Sequence, residues 1–486
     1  MRRIVFVLLF AGRALAQTSD EQAKRVDAVF AAYRDTPGCA VGVARGGTPI
    51  LTRAYGMANL EYEIPLTPNS IFEAGSVTKQ FTAAAIVLLA QDGKLSLDDH
   101  IRKYIPELSD SAEPVTIRQM LNHTSGLRDW GTMTSLAGWR RGTRAHTHAI
   151  VLDILSRQRA LNFPAGTQFS YSNSNYNLLA IVVERVSGQS FPAFTNARIF
   201  TPLGMTRSSW RDDYARVVKG RATAYDPVKG GGFEADMDHE NIYGNCCLLT
   251  TVSDLLLWNE NFKSGRVGGK ALVDALQTPG VLTTGEKIDY ALGLFILDYH
   301  GKPEISHSGS TAGYRAYLAR LPDDDLSIAV LCNRGDANAP SLGHKVADVF
   351  LPPAPEVAPA SATDTNIEQF AGLYRDPLTD ALLPIKVEKN ALRIGFDRSF
   401  EITPLGSARY RIRPTNEVQF DHGGLLLFTG HKQPARYVRV AQASPSAAAL
   451  EEYVGLYTSE EVGNTYRISL VDGKLNVRVR PGMEIP

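Results

Sequence analysis

Ser76-Val77-Thr78-Lys79, opening an apolar run at 81–90 that Gly93 closes, is the stretch that decides how this chain is read. Positions three apart lie on one face of a helix, so the spacing sets a hydroxyl beside an ammonium. A serine hydroxyl is a weak nucleophile until a neighbouring base takes its proton. Lysine serves as that base when burial and positive potential favour its neutral form, and a helix start supplies part of that potential. Ser76 to Lys79 is the only S-x-x-K in the chain. Taken alone it also fits a helix cap followed by an exposed lysine.

Two distant segments add weight. Phe169-Ser170-Tyr171-Ser172-Asn173 follows a turn at Pro164-Ala165-Gly166 and precedes a helical pattern at 176–186. Tyr171 and Asn173, two apart on a loop, can face one cleft. His307-Ser308-Gly309-Ser310 lies between a polar turn and a strand-like run at 314–318, where a glycine lets a strand edge approach a substrate closely. Each segment is ordinary by itself, and the ordered triple carries the argument.

With these residues in hand, the chain resembles the serine penicillin-recognising enzymes, in particular the class C β-lactamase and D-peptidase branch. Leu121-Asn122-His123-Thr124-Ser125-Gly126-Leu127, and Ser253-Asp254-Leu255 leading into Trp258-Asn259, also look like that branch. The resemblance covers about residues 25 to 350. It implies Ser76 as the acylated nucleophile, with Lys79 and Tyr171 moving its proton and Asn173 bonding Lys79 and the substrate amide. It further implies an oxyanion site between the backbone N–H groups of Ser76 and Ser310, with His307 and Gly309 along the same substrate-binding edge. Most β-lactamases of the superfamily carry lysine where His307 stands. An imidazole is mostly neutral at pH 7, so strong recognition of a β-lactam carboxylate is disfavoured.

The expected activity is therefore a serine hydrolase working through an acyl-enzyme on amide or ester bonds, most of all D-amino-acid peptides, in the manner of a D-aminopeptidase or D-Ala carboxypeptidase. A class C-like β-lactamase or promiscuous carboxylesterase is the alternative within enzymes. A non-catalytic penicillin-binding sensor is the alternative outside them. Substrate choice would rest on loops at 128–136 and 230–245.

The resemblance implies an α+β fold: an antiparallel sheet flanked by helices, with a helical insert at about 100–250 and the cleft between them. Strands are expected at 39–45 and 315–332, joined to the next strand through Arg45-Gly46-Gly47, and a buried helix at 76–92. Periodicity alone indicates only mixed α and β. Cys39 and Cys332 would share the sheet, which permits a bridge, but two buried free thiols are the reading adopted. Cys246 and Cys247, where relatives usually have glycines, are read as small buried residues beside the site.

Length predicts further domains. The hydrolase domain is expected at 20–351 and a Pro- and Ala-rich linker at 352–367. Beyond it, Phe370-Ala371-Gly372-Leu373-Tyr374 recurs as Tyr453-Val454-Gly455-Leu456-Tyr457, an internal repeat. The copies resemble the lipocalin-like barrels appended to D-aminopeptidases. The first spans 368–445. The second, 450–486, holds about half the strands and is read as truncated or as packed on a neighbour. In relatives with two barrels the second lends a loop to the active-site mouth, so a more open cleft is expected.

Residues 1–16 read as a signal peptide, with two arginines, a short apolar core and Ala14-Leu15-Ala16 before Gln17. A secreted or periplasmic protein without stable membrane insertion follows. Formal charge balances, 51 basic against 51 acidic residues, and no basic block stands out, which argues against nucleic acid as a partner. A small-molecule or peptide substrate is the expected partner. No cofactor or metal is expected: His146-Thr147-His148 lacks the continuation of a metallo-β-lactamase motif, because Ile150 and Val151 follow. No G-x-S-x-G elbow occurs. His123 is read as a structural hydrogen-bonder.

Overall fold

The computed structural model describes residues 19–139, 145–352, 366–377, 379–396, 399–413, 416–421, 423–429, 434–480 and 483–485. The leader read at 1–16 and most of the linker read at 352–367 lie outside them.

The centre is a six-stranded antiparallel sheet in the order Phe295–Tyr299, Lys302–Thr311, Tyr314–Leu321, Leu326–Cys332, Cys39–Arg45, Thr48–Tyr55. Both of its faces are covered, and the period of two sorts the side chains between them. Val41, Val43, Tyr317 and Ala319 pack beneath the helices Asp20–Val29 and Ala339–Phe350. Ala40, Ala44, Ala316 and Leu318 face the larger core, which holds Val252 and Leu255 of the helix Val252–Ser264. Gly46 and Gly47 both have positive φ, 60° and 78°, as the tight turn between the two N-terminal strands requires.

The sequence reading starts a helix at Ser76. In the structure Gly75–Thr78 is a 3-10 turn, and the α-helix runs Lys79–Gln91 with Asp92 as cap and Gly93 at φ 70°. From Lys79 to Leu89 every residue of this helix is buried. Such all-round burial is why the segment reads as continuously apolar instead of amphipathic. Helices Ile117–Leu121, Trp130–Leu136, His148–Ser156 and Asn173–Ser187 form the insert on that side.

One expectation is overturned. Cys39 and Cys332 are directly opposed in the antiparallel register, with Cα atoms 4.0 Å apart, and they form a disulfide instead of two free thiols. Cys246 and Cys247 are buried as expected but are bonded to each other.

Beyond the linker, nine strands from Gly372–Arg375 to Ala435–Val440 form one nearly closed antiparallel sheet around Phe370, Tyr374, Tyr410 and Phe420. Four strands, Gly455–Ser459, Asn464–Val471, Lys474–Arg480 and Met483–Ile485, make a separate sheet. The repeat is structural as well as sequential. Tyr374 donates to the Phe370 carbonyl at 2.9 Å, and Tyr457 donates to that of Tyr453 at 3.0 Å. No helix among the described residues is long and apolar enough to cross a membrane.

Candidate active site

The turn carrying Ser76 is pinned on both sides. Ala74 donates its N–H to the Leu248 carbonyl, and Leu248 donates to the Thr78 hydroxyl. On the other side the turn presses against the strand Lys302–Thr311. A Cβ on Gly75 would lie 2.5 Å from the Ser310 nitrogen, and one on Gly309 would lie 2.0 Å from the Ala74 oxygen. Only glycine at both positions lets the Ser76 turn and the strand meet. The neighbouring strand Phe295–Tyr299 pairs with residues 302–306 only, so from His307 onward that edge faces the Ser76 turn.

Lys79 is fully buried, and its Nζ bonds the Ser76 Oγ at 3.0 Å, Asn173 Oδ1 at 2.9 Å and the Asn245 carbonyl at 2.9 Å. It also lies 4.7 Å from the centroid of the Tyr171 ring. Asn173 is the first residue of the helix Asn173–Ser187, and its N–H donates to Asp129 Oδ2 at 2.7 Å. Asn245 is held in turn by Asn177, whose Nδ2 donates to its Oδ1 at 2.7 Å.

The Tyr171 hydroxyl is buried with no hydrogen bond of standard geometry among the described residues. Burial raises its pKa above the ordinary phenol value, the nearby Ser76 hydroxyl tempers the shift, and the Asp129 charge adds to it. Tyr171 therefore keeps its proton through the neutral range. His307 lies with its ring 6.2 Å from that of Tyr171 and bonds Tyr290: its Nε2 lies 3.0 Å from the Tyr290 oxygen and its Nδ1 2.6 Å from the Ser308 carbonyl. A carbonyl only accepts, so Nδ1 carries the proton and Nε2 accepts from Tyr290. Burial, then the Lys79 charge, pushes the His307 pKa down to about 3. The imidazole is neutral wherever an enzyme of this kind works.

All seven residues picked from the sequence thus converge on one place. His123 is a buried hydrogen-bonder, as read from the sequence: its Nδ1 accepts from the Ser172 N–H, and its ring lies tilted 4.2 Å from that of Tyr171. The sequence reading names no role for three contributors, Tyr290, Asp129 and Asn245, which stand in no motif. Asp129 and Asn245 do lie within the loops 128–136 and 230–245 read as lining the pocket, whereas nothing points to Tyr290.

Behind Ser76 lies a buried ionic cluster. Arg211, 1% exposed in its side chain, makes two bonds to Glu73, at 2.8 and 3.2 Å, and reaches Asp238 at 3.2 Å and the Cys247 sulfur at 3.0 Å. Desolvation works against its charge, but Glu73 and Asp238 hold its proton more tightly than usual. Among the described residues Glu73, Cys246 and Cys247 form the one three-ligand group close enough to suggest a metal. With Arg211 bonded to both Glu73 and Cys247, that group is already occupied by a cation. His146 and His148 do not form a pair: His146 lies 3.7 Å from Glu240, while His148 Nε2 accepts from the Tyr243 N–H.

Comparison with known proteins agrees with this geometry. A penicillin-binding protein of Bacillus subtilis is 29% identical over 406 residues, covering 78% of this chain and 89% of that one. A D-aminopeptidase of Brucella ovis is 28% identical over 327 residues, covering 66% of this chain, which in turn spans 61% of that relative's length. The solved structure of an octameric penicillin-binding protein homologue from Pyrococcus abyssi superposes with a TM-score of 0.62 at 21% identity, over 94% of this chain and 96% of that one. The profile of the Beta-lactamase family matches residues 26–349, and the chain belongs to that family as a serine hydrolase.

Proposed function

We propose that the protein cleaves amide bonds of peptides containing D-amino acids, through an acyl-enzyme on Ser76. One observation carries the reading: the composition of the Lys79 shell. Of its described acceptors, Asn173 Oδ1 and the Asn245 carbonyl can only accept, whereas the Ser76 hydroxyl can also give. As an ammonium, Lys79 donates to all three. As an amine it donates to the two carbonyls and turns its lone pair to the Ser76 proton, with no atom of the shell moving. A base that gains and loses a proton without reorganising its surroundings suits general base catalysis.

The steps balance around that shell. Ser76 Oγ forms a bond to the substrate carbonyl carbon as its proton passes to Lys79, and the oxyanion is received by the N–H groups of Ser76 and Ser310. The C–N bond breaks as Tyr171, kept as a phenol by burial, gives its proton to the leaving nitrogen. Lys79, beside the Tyr171 ring, restores that proton. Water then attacks the ester in the reverse sequence.

The D-peptide preference draws on the D-aminopeptidase relative and on His307. A neutral, buried imidazole offers no fixed cation to the carboxylate of a β-lactam. The test is a panel of D-alanine p-nitroanilide, its L-enantiomer, p-nitrophenyl acetate and a chromogenic cephalosporin. Faster turnover of the D-anilide than of the L-form and the cephalosporin supports the reading. Rapid cephalosporin hydrolysis with an inert D-anilide would transfer it to the β-lactamases.

A further inference from the structure

The four-stranded C-terminal sheet does not stand apart from the hydrolase. The turn between Gly455–Ser459 and Asn464–Val471 lies on the helical insert. Glu461 Oε2 meets Arg128 Nη1 at 2.7 Å, its Oε1 accepts the Arg159 N–H at 2.6 Å, and its carbonyl accepts from Gln158 Nε2 at 3.1 Å. Both side chains of the ion pair are about three-quarters buried, at 26% and 25% exposed. Further along the same hairpin, Tyr466 donates to the Leu136 carbonyl at 2.7 Å.

The segment gripped at these two points, 128–136, is itself laced to the start of the helix Asn173–Ser187. The Arg128 carbonyl accepts from Ser174 Oγ at 2.6 Å, and Ser174 Oγ accepts the Trp130 N–H at 2.8 Å. Asp129 spans the same junction, taking the Thr132 N–H on one oxygen and the Asn173 N–H on the other. Asn173 then holds Lys79. From Glu461 to Lys79 the path runs through the ion pair to Arg128, the peptide bond to Asp129, and the hydrogen bonds from Asn173 N–H to Asp129 and from Lys79 to Asn173.

We infer that this hairpin is a two-point clamp, Glu461 on Arg128 and Tyr466 on Leu136, which fixes the 128–136 segment and through it the placement of Asn173 and Lys79. Glu461 is a positioning residue and touches no reacting atom. The inference rests on the reading of Lys79 as the base for Ser76. It gives the second repeat a task that the exposure of Leu456, at 63%, does not suggest.

The test uses the full chain with Glu461→Gln, Glu461→Lys, the swap Arg128→Glu with Glu461→Arg, and Glu460→Gln as the control. Glu460 pairs with Arg159 where both side chains are largely exposed, so its loss is expected to change nothing. Two readouts are followed. Hydrogen exchange of the amides at 173–176 reports the helix start directly, and the rate at which a fluorophosphonate labels Ser76 reports activation of the nucleophile without reference to substrate. Glu461→Lys is expected to speed exchange there and slow labelling by about tenfold, Glu461→Gln by roughly threefold, and the swap to recover most of the loss, since small misplacements of catalytic groups cost rate steeply. Parental exchange at 173–176 in Glu461→Lys, or parental labelling in both single variants, would overturn the clamp. Should Ser76 in the parent refuse the probe, the hydrolase reading fails, and the exchange readout alone decides the clamp.

Discussion

Replacing Tyr171 by phenylalanine separates what its hydroxyl does for the reaction from what it does for the fold. The oxygen is buried and makes no hydrogen bond of standard geometry among the described residues. A buried polar group in that state costs roughly 1–3 kcal/mol. Its deletion returns part of that cost and leaves the ring contacts with His123 and Tyr290 in place. The melting temperature is therefore expected to hold or to rise by about 1–2 °C. Catalysis moves the other way, because a positioned proton donor contributes typically 10²–10⁴-fold and phenylalanine has no proton to give. Steady-state hydrolysis of D-alanine p-nitroanilide, run beside p-nitrophenyl acetate, distinguishes the step. Nitrophenolate leaves without help, so acylation by the ester should suffer less than acylation by the anilide, and intact-protein mass should show acyl-enzyme accumulating as deacylation slows. A variant within about threefold of the parent on the anilide would remove Tyr171 from the proton path. A melting temperature lower by several degrees would show that the hydroxyl has a partner and supports the fold.

Three further outcomes follow from the same contacts. Burial holds His123 well below its ordinary value of 6.5, His148 at about 4 and His307 at about 3, so unfolding takes up protons below pH 6.5. Their contribution is complete above that pH and is lost as pH falls toward 4, at about 1.4 kcal/mol per pH unit for each histidine; melts between pH 7.5 and 4.5 should slope downward, and less so in His307→Asn, whereas superimposable curves would contradict the burial of these rings. Arg211→Met takes the nearest cation from Glu73 and Asp238, leaving Glu73 only Arg221 at 3.6 Å, and is expected to cost roughly 3–5 kcal/mol, with Glu73→Gln in the same chain recovering much of it in thermal melts; an unchanged single variant would show that Arg211 does not hold the cluster together. Breaking the Cys39–Cys332 bond, which closes a loop of sequence separation 293, by Cys332→Ser should lower stability by roughly 2–5 kcal/mol in denaturant titrations; no difference from the parent would mean that the two sulfurs are not joined.

What the sequence made legible follows from how local the information was. Ser76 and Lys79 are three residues apart, and Tyr171 and Asn173 two apart, so each pair carries its geometry in its spacing, and the resemblance only had to join the pairs. The start of the helix was misplaced because the 3-10 turn at Gly75–Thr78 is imposed by the close approach of Gly309 to Ala74, more than two hundred residues away. The Cys39–Cys332 bond depended on strand register, which one residue of slip would have undone. Tyr290 and Asp129 have no local signature at all. One is placed by the turn before Phe295–Tyr299, the other as the cap of the helix Trp130–Leu136, and each reaches the site only after the insert packs on the sheet. The same holds for Glu461, whose partner Arg128 lies 333 positions earlier in the chain.

The account depends most on Ser76 becoming covalently acylated by a D-configured substrate. Its most direct measurement is peptide mapping by mass spectrometry after acid-quenching the protein with a D-alanine ester and, separately, its L-enantiomer. The predicted result is one acyl group on the peptide that carries Ser76, formed faster from the D-ester and absent in Ser76→Ala. An unmodified Ser76 peptide, or a Ser76→Ala variant that turns over the ester as fast as the parent, would contradict it.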